Sequence, residues 1–334
     1  MKKLLAFLLG VVLLTGSAMA LTLNGAGATF PYPIYSKWFS DYQKEKGVQI
    51  NYAPIGSGGG IRQFTAGVVD FGASDAPMSN DEISKAGGDV LHIPTVAGAI
   101  AVVYNAGFDG LRLDGETLAD IFLGNIKRWN DDKIAEQNPG INLPDKKIVV
   151  AHRSDASGTT DIFTNYLAKV SSDWASKVGA GKSVSWPVGV GGKGNPGVAS
   201  AVKNNDGAIG YVELAYAETN NLSAAKMKNK SGSYVSPSVD GTTAAMAGGL
   251  KKIPADFRGE ILDQKGGSAY PICGMTWLLV HKNQSNPDKG SALKDFLKWA
   301  LTDGQKSADT LYYAPLPSSL ASKVLAAIDS ISTQ

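Results

Sequence analysis

Short apolar runs alternate along the chain with segments whose apolar positions recur at helical spacing. Runs of strand length occupy residues 48–55, 99–105, 146–152, 208–214 and 276–281. Segments of helical spacing lie between them, as in TLADIFLG and FTNYLAKV, and the C-terminal part of the chain consists mostly of such segments. Strands that alternate with helices predict an α/β protein with mainly parallel sheets.

Local signals predict two helix starts and one loop. Ser79 followed by Glu82 has the spacing of a capping box, in which each side chain accepts a hydrogen bond from the other residue's backbone. Asn195 followed by Pro196 predicts a helix that is capped by Asn195. Residues 229–249 are rich in Gly, Ser and Thr, and they predict a long surface excursion.

The N-terminus has the pattern of a cleavable signal peptide. Two lysines precede an uncharged apolar run from Leu4 to Leu14, and Ala18-Met19-Ala20 is a suitable cleavage site. The apolar run is too short to cross a hydrocarbon core of about 30 Å, which argues against a membrane-spanning helix. We therefore expect export, with a mature chain that begins at Leu21.

Composition limits the classes of function. Cleavage would remove two lysines and no acid, so the 32 basic residues become 30 and balance the 30 acidic ones. A neutral chain lacks the basic footprint of a nucleic-acid-binding protein. Cys273 is the single cysteine of the sequence, which excludes an intramolecular disulfide. The length exceeds what one hydrophobic core usually serves and predicts two domains.

Four short segments combine glycine with small hydroxyl residues and suggest an anion site. Three of them stand at or near a predicted helix start, where unpaired N–H groups and the helix dipole favour anions. Arg153 would add a planar fork suited to a tetrahedral oxyanion. Taken singly, each segment is also an ordinary cap or turn, so it is their coincidence that supports the site. The segments are GAGATFP (25–31), GSGGGI (56–61), DFGASDAP (70–77) and RSDASGTT (153–160).

The segment GVGGKG (189–194) matches the G-x-G-x-x-G pattern of dinucleotide sites, with Glu213 about twenty residues further on. A strand-to-helix turn is the simpler interpretation, because an exported protein rarely meets a nicotinamide cofactor. The segment is not a P-loop, since Lys193 is followed by Gly194 rather than by Ser or Thr.

A hydrolase is the alternative from another class. Ser157 has His152 and Asp155 nearby in sequence, but its surroundings lack the G-x-S-x-G pattern, and a catalytic triad needs the three side chains to converge. The three histidines and one cysteine show no metal-ligand spacing. We expect a binding protein without catalysis, cofactor or metal, and keep an exported Ser-dependent phosphatase as the alternative.

Several motifs together carry a family resemblance that covers essentially the whole predicted mature chain. Besides the four segments above, they are IFLGNIKRWND (121–131), VGGKGN (190–195), GAIGYVE (207–213) and YAPLP (313–317). With them the chain resembles the periplasmic phosphate-binding proteins of high-affinity ABC-type phosphate importers. The resemblance implies a type II periplasmic-binding-protein fold, with two α/β lobes joined by two hinge crossings. The domains would be 1–20 (signal peptide), 21–100 with 273–334 (lobe I) and 101–272 (lobe II).

The resemblance also implies which residues contact the ligand. Most would supply hydroxyls or helix N-terminal N–H groups, Asp75 would be the one acceptor, and Asp155 would hold Arg153 in orientation. The implied phosphate ligands are Thr29, Phe30, Ser57 and Asp75 from lobe I and Arg153, Ser157, Gly158 and Thr159 from lobe II. Two departures are His152, where the family can carry a second basic residue, and CGMTW (273–277), which we place at a hinge return outside the socket.

Asp75 restricts which anions the implied site can bind. A buried carboxylate repels an anion unless the anion carries a proton to donate, and phosphate near neutral pH carries one whereas sulfate does not. A site built around a required hydrogen bond can reject an analogue that lacks it by about 10⁴–10⁵-fold. We expect a periplasmic monomer that captures inorganic phosphate and delivers it to an ABC-type permease in the inner membrane. A receptor of the same fold for sulfate or molybdate is the other alternative.

Overall fold

The computed structural model describes residues 21–333, so the predicted signal peptide, residues 1–20, lies outside the described residues. The strands are β1 (Thr22–Gly27), β2 (Gln49–Ala53), β3 (Phe71–Ser74), β4 (Val90–Asn105), β5 (Arg112–Leu113), β6 (Val149–Arg153), β7 (Val190–Gly192), β8 (Ala208–Glu213), β9 (Ser223–Ala224), β10 (Lys226–Lys228), β11 (Tyr234–Val235) and β12 (Cys273–His281). The α-helices are α1 (Tyr32–Lys46), α2 (Ser57–Thr65), α3 (Asn80–Lys85), α4 (Gly115–Leu123), α5 (Asp132–Gln137), α6 (Gly158–Val170), α7 (Ser172–Lys177), α8 (Gly194–Asn204), α9 (Leu214–Thr219), α10 (Val239–Gly249), α11 (Pro287–Ala300) and α12 (Ser318–Asp329). Short 3₁₀ helices occupy Leu250–Lys252, Gly304–Ser307 and Asp309–Leu311.

One mixed sheet runs through the molecule in the strand order β2-β1-β3-β12-β4-β8-β6-β7, with β9 also paired to β4. Its two outer parts are parallel, since β1 pairs parallel with β2 and β3, and β6 pairs parallel with β7 and β8. The two long strands between them, β4 and β12, run antiparallel to each other and to their neighbours. A small second sheet has the order β11-β10-β5. The expected α/β fold class is confirmed.

The strand β4 belongs to both halves of the sheet. Its first part, up to Ala99, pairs with β12, and its second part, from Ile100, pairs with β8. Cys273, the first residue of β12, lies opposite Ala99 at this change of partner. The boundaries predicted between lobe I and lobe II, after residues 100 and 272, lie beside this change of partner and stay a prediction.

Large aromatic side chains fill the cores of both halves, because burying them removes the most apolar surface from water. Trp38, Trp129 and Trp174 are fully buried, and each indole N–H donates to a backbone carbonyl, as Trp38 does to Gly304 at 2.8 Å. Cys273 is also buried, as an apolar role for this thiol predicts.

Local predictions had mixed outcomes. The capping box at α3 is confirmed, because the Ser79 hydroxyl accepts from the Glu82 N–H at 3.2 Å and the Glu82 carboxylate accepts from the Ser79 N–H at 2.8 Å. The surface excursion predicted at 229–249 is wrong in its second half, where α10 begins after the Ser238 cap and buries Ala245. Small residues indicated a loop there, but they also allow a helix to pack closely.

Asn195 is not a helix cap. The helix α8 begins at Gly194, with Lys193 at the capping position, so Asn195 lies within the first turn. Its side chain is therefore available for contacts beyond its own helix. The helix α2 begins at Ser57, and the glycines after Ser57 form its first turn.

Candidate functional site

The predicted ligand residues stand at strand ends and helix starts that face each other across the two lobes. Thr29 and Phe30 follow β1, Asp75 follows β3, and Ser57 begins α2. From lobe II, Arg153 ends β6 and the remaining three flank the start of α6. The carboxyl ends of parallel strands meet at one sheet edge, which is where ligands bind in open α/β sheets. All eight residues are buried.

The Arg153 side chain is the buried cation of this region. Its Nε and Nη2 donate to the two Asp155 carboxylate oxygens at 2.8 and 2.6 Å, and its side chain is only 1% exposed. Burial acts to raise the pKa of Asp155, but the Arg153 guanidinium and the Gly194 N–H outweigh it and hold that pKa below its usual range. Asp155 therefore stays ionised and fixes the guanidinium plane.

The third nitrogen of that guanidinium, Nη1, is buried and has no hydrogen-bond partner among the described residues. A buried, unsatisfied donor on a charged group is costly, and native structures keep one only where something else pairs with it. The backbone N–H groups of Phe30 and Thr159 also donate to no atom of the described chain. Three donors of the predicted socket are thus free to bind an acceptor that the chain itself does not supply.

Ser57 and Gly158 join the lobes at the centre of the socket. The Ser57 hydroxyl accepts from the Gly158 N–H at 3.0 Å and from the Asp75 N–H at 3.3 Å. A Cβ atom at Gly158 would lie 2.7 Å from both the Asp75 nitrogen and the Ser57 Oγ, so only glycine allows this approach. Because the hydroxyl oxygen already accepts twice, its proton must be donated elsewhere.

Asp75 is the predicted acceptor, and its environment is unusual for a carboxyl group. Burial raises its pKa to about 7, against the opposing effects of hydrogen bonds from Thr276 and Thr159 and of the Arg153 charge. The Thr276 hydroxyl donates to Asp75 Oδ1 at 2.9 Å. Thr276 belongs to the CGMTW segment, so placing that whole segment outside the socket was wrong. The sequence signal, a threonine in a buried apolar strand, was present but unspecific.

The side chains of the hydrolase alternative do not form a triad. The Ser157 hydroxyl accepts from the Thr160 N–H at 3.1 Å as a helix cap, and Asp155 is engaged by Arg153 and Gly194. His152 stacks on Trp186 with ring centroids 4.8 Å apart, and its Nδ1 contacts the Arg153 carbonyl. Burial lowers the pKa of His152, so the imidazole adds no positive charge to the socket near neutral pH.

Two groups of residues outside the predicted set also span the lobes. Asn195 contacts the hydroxyls of Thr29 and Thr159 from within α8. Nearer the surface, Lys182 pairs with Glu82 at 2.8 Å, and Arg258 donates to Asn80 at 2.8 Å. Asn195 and Glu82 stand in motifs, but the motifs did not predict these contacts. The partners across the lobes are far apart in the chain, by 166 residues for Asn195 and Thr29 and by 100 residues for Lys182 and Glu82.

A cavity of about 340 Å³ adjoins the socket on the Asp75 side. Asp161, Arg258, Cys273 and Trp277 are among its lining residues. Burial raises the pKa of Asp161 to about 6, so this wall of the cleft carries a second carboxyl that is easily protonated.

The GVGGKG segment forms a strand-to-helix turn. It contains β7 and the start of α8, and a Cβ at Gly192 would lie 2.5 Å from the Gly197 carbonyl carbon. Its glycines therefore allow close packing of helix on strand. Glu213 is fully buried, where its Oε2 accepts from the Tyr313 hydroxyl and the Ala215 N–H, so it is not accessible to a dinucleotide ribose.

Within residues 21–333, no group of three or more His, Cys, Asp or Glu side chains is placed to hold a metal ion. The helices in the same part of the chain include none long and apolar enough to cross a membrane.

Comparison with known proteins agrees with this geometry. Residues 15–304 match the PBP superfamily domain. The chain is 46% identical to the phosphate-binding protein PstS of Pasteurella multocida, over 97% of this chain and 94% of that protein. It is 42% identical to the phosphate-binding protein PstS of Methanocaldococcus jannaschii, over 92% of this chain and 86% of that one. The chain belongs to the PstS family.

Solved structures show the same fold at lower sequence identity. A high-affinity periplasmic phosphate-binding protein, PfluDING, solved with bound phosphate, has a TM-score of 0.72 at 23% identity and covers 92% of this chain and 93% of its own. A phosphate-binding protein from Stenotrophomonas maltophilia has a TM-score of 0.68 at 22% identity and covers 92% and 94%. The two-lobed fold expected from the sequence is thereby confirmed.

Proposed function

We propose that this protein is a periplasmic receptor that binds one inorganic phosphate ion between its lobes and delivers it to an ABC-type permease. The observation that carries the proposal is the buried Arg153 Nη1, which has no partner among the described residues and lies in a socket with other free donors. The names of the PstS relatives support the choice of phosphate. The protein acts by binding, and no catalytic step is part of this function.

The ligand contacts in this proposal are those that the sequence predicts. Arg153 Nη1, the N–H groups of Phe30 and Thr159, and the hydroxyls of the socket donate to phosphate oxygens. Each charge-assisted bond contributes about 1.5–3 kcal/mol in a dry site. Asp155 neutralises Arg153, so the local charge stays near zero and binding rests on oriented donors. The ligand residues are Thr29, Phe30, Ser57, Asp75, Arg153, Ser157, Gly158 and Thr159.

Gly158 both contacts Ser57 and is a proposed phosphate ligand. Its N–H donates to Ser57 in this structure, so a direct bond to phosphate requires that contact to lengthen or be shared. The contact nevertheless holds the start of α6 against the α2 start, which places the N-terminal N–H groups of both helices around one anion.

Asp75 selects for a ligand that carries a proton. As a carboxylate, Asp75 accepts a hydrogen bond from the P–OH group of phosphate. Unprotonated sulfate or molybdate has no proton to donate to it and is repelled. A socket ringed by donors also disfavours a phosphate ester, because the ester oxygen is a weaker acceptor than a free phosphate oxygen.

The predicted export of the protein indicates its location and its partner. We infer that the signal peptide is cleaved, that the mature chain acts as a monomer in the periplasm, and that the permease recognises the closed, ligand-bound form. The structural relative PfluDING is a periplasmic protein, which supports the location, and the absence of a basic footprint argues against a nucleic-acid partner.

Equilibrium dialysis of the purified protein with radiolabelled phosphate, after unfolding and refolding to strip any carried ligand, tests the proposal. We expect saturable one-to-one binding at micromolar concentration or tighter, displaced by unlabelled phosphate and not by sulfate, molybdate or glycerol phosphate. Absence of saturable binding would overturn it. Turnover of a chromogenic phosphoester that Ser157→Ala abolishes would instead support the hydrolase alternative.

A further inference from the structure

Asn195 is a fully buried amide that contacts both lobes. Its Nδ2 donates to the Thr29 hydroxyl at 3.0 Å and to the Thr159 hydroxyl at 3.1 Å, and its backbone N–H donates to Thr29 at 3.1 Å. Thr29 belongs to lobe I and Thr159 to lobe II. One side chain of α8 thus connects two hydroxyls on opposite sides of the socket.

The orientation of this amide follows from its third contact. Asn195 Oδ1 accepts from the Glu213 backbone N–H at 2.9 Å. A backbone N–H can only donate, so the atom that faces it must be the amide oxygen, and the NH₂ group must face the two threonines.

This orientation fixes what the two hydroxyls can do. A hydroxyl has one proton and two lone pairs, and Thr29 Oγ1 uses both lone pairs to accept from Asn195. Its proton therefore remains for another acceptor. Thr159 Oγ1 also accepts from the amide, and its proton is left for Asp75 or for a ligand oxygen.

We propose that Asn195 is a positioning residue that makes Thr29 and Thr159 donors toward the bound anion and couples their placement across the lobes. This role rests on the proposed phosphate binding and extends it to a residue that contacts no ligand atom. The backbone N–H of Asn195 still orients Thr29 when the side chain is removed, so Thr159 is the hydroxyl that depends most on the amide.

Ser57 provides a matched comparison within the same socket. Its hydroxyl is oriented by the N–H groups of Gly158 and Asp75, and Asn195 does not contact it. Removal of the Ser57 hydroxyl should therefore have an effect on binding that is independent of Asn195.

A double-mutant cycle measured by calorimetric titration with inorganic phosphate tests this role. We expect Asn195→Ala and Thr159→Val each to weaken binding by about 10- to 100-fold, the range for one charge-assisted hydrogen bond. In the Asn195→Ala background, Thr159→Val should weaken binding by less than about threefold, because the hydroxyl is no longer oriented. Ser57→Ala should cost the same factor in both backgrounds.

An equal cost of Thr159→Val in both backgrounds would overturn the role, even if Asn195→Ala lowered stability, since a merely structural residue gives additive losses. If Asn195→Ala does not fold, the cycle uses Asn195→Asp, which keeps the oxygen that accepts from Glu213 but cannot donate. There Thr159→Val should leave affinity unchanged or improve it, and a loss equal to that in the unmodified protein would overturn the role. Failure of the unmodified protein to bind phosphate would overturn the proposed function itself.

Discussion

The socket and the mouth of the cleft both join the two lobes, but they do so with different chemistry. In the socket, hydroxyls, backbone N–H groups and one compensated ion pair meet, and the Arg153 and Asp155 side chains are 1% and 14% exposed. At the mouth, the ion pair of Lys182 and Glu82 is 23% and 28% exposed. Water and salt screen the outer pair and not the inner one.

This difference separates recognition from closure. Oriented donors and acceptors in a dry socket can distinguish ligands by which ligand oxygens carry a proton. A donor or acceptor left without a hydrogen-bond partner there costs its full desolvation penalty. The Lys182–Glu82 ion pair and the Arg258–Asn80 hydrogen bond at the mouth bring the lobes together without contact to the ligand, so they favour closure and do not distinguish one ligand from another. Substitutions in the two regions should therefore differ in size and in their dependence on salt.

The largest effect on ligand preference is expected from Asp75→Asn, which replaces the only predicted acceptor by a group that can donate or accept. Sulfate should gain affinity while phosphate changes much less, so that the preference for phosphate falls by about tenfold at pH 8, where a carboxyl group with a pKa of about 7 is mostly ionised. Competition of sulfate against labelled phosphate measures this preference in both proteins. The matched control is Asp161→Asn, which removes a neighbouring carboxyl from the wall of the adjoining cavity. An unchanged preference in Asp75→Asn would sink the selectivity argument.

The largest effect on phosphate affinity itself is expected from Arg153→Met. It removes the buried cation and leaves Asp155 unpaired beside the anion, so phosphate binding should weaken by about 30- to 4,000-fold. Arg258→Met at the mouth is the control and should change affinity by less than about fivefold, as for other partly exposed polar contacts. Calorimetric titration compares the two. Equal losses would show that the socket is not the site of recognition.

Gly158→Ala should have a smaller effect. The added Cβ would lie 2.7 Å from Ser57 Oγ and from the Asp75 nitrogen, so the lobes could not approach fully. Such overpacking corresponds to about a 10- to 100-fold loss of phosphate affinity. Gly267→Ala, where a Cβ meets nothing within 4 Å, is the control. Unaltered phosphate affinity in Gly158→Ala would contradict the close approach of α6 to α2.

The smallest effect is expected from Lys182→Ala. Loss of this partly exposed ion pair should weaken phosphate binding by no more than about fivefold, mainly through faster release, and the difference should vanish at about 1 M salt. Lys177→Ala is matched to it, because Lys177 pairs with Asp173 inside one helix and not across the lobes. Stopped-flow kinetics of phosphate release at two salt concentrations test this prediction. A loss of affinity that does not depend on salt would place Lys182 within the recognition site.

The sequence was sufficient where function depends on local chemistry. Helix starts such as the one at Gly158 carry their own signals, and the alternation of strand and helix patterns was specific enough to predict the α/β class. The family resemblance supplied the prediction of individual ligand residues, because periodicity alone left open whether each residue is a helix cap or a ligand contact.

Contacts between side chains that lie far apart in the chain were not predictable in this way. The sequence predicts Asn195 as a helix cap, and only the structure shows its contact with Thr29. Similarly, the sequence predicts Thr276 as part of a buried strand, and only the structure shows its contact with Asp75. Their partners are far away in the chain, and nothing in the local pattern indicates which polar side chain will meet which. The raised pKa of Asp75 is likewise a consequence of burial by both lobes.

The most direct test of the account is calorimetric titration of the unmodified protein with phosphate and with sulfate at pH 8 and at pH 6. Because burial raises the pKa of Asp75 to about 7, the group is mainly a carboxylate at pH 8 and mainly a protonated donor at pH 6. Sulfate affinity should therefore be about tenfold higher at pH 6 than at pH 8. Phosphate should remain the tighter ligand at both, and Asp75→Asn should remove the pH dependence for sulfate. Sulfate binding that is independent of pH, or as tight as phosphate binding at pH 8, would contradict the claim that Asp75 reads the proton on the ligand.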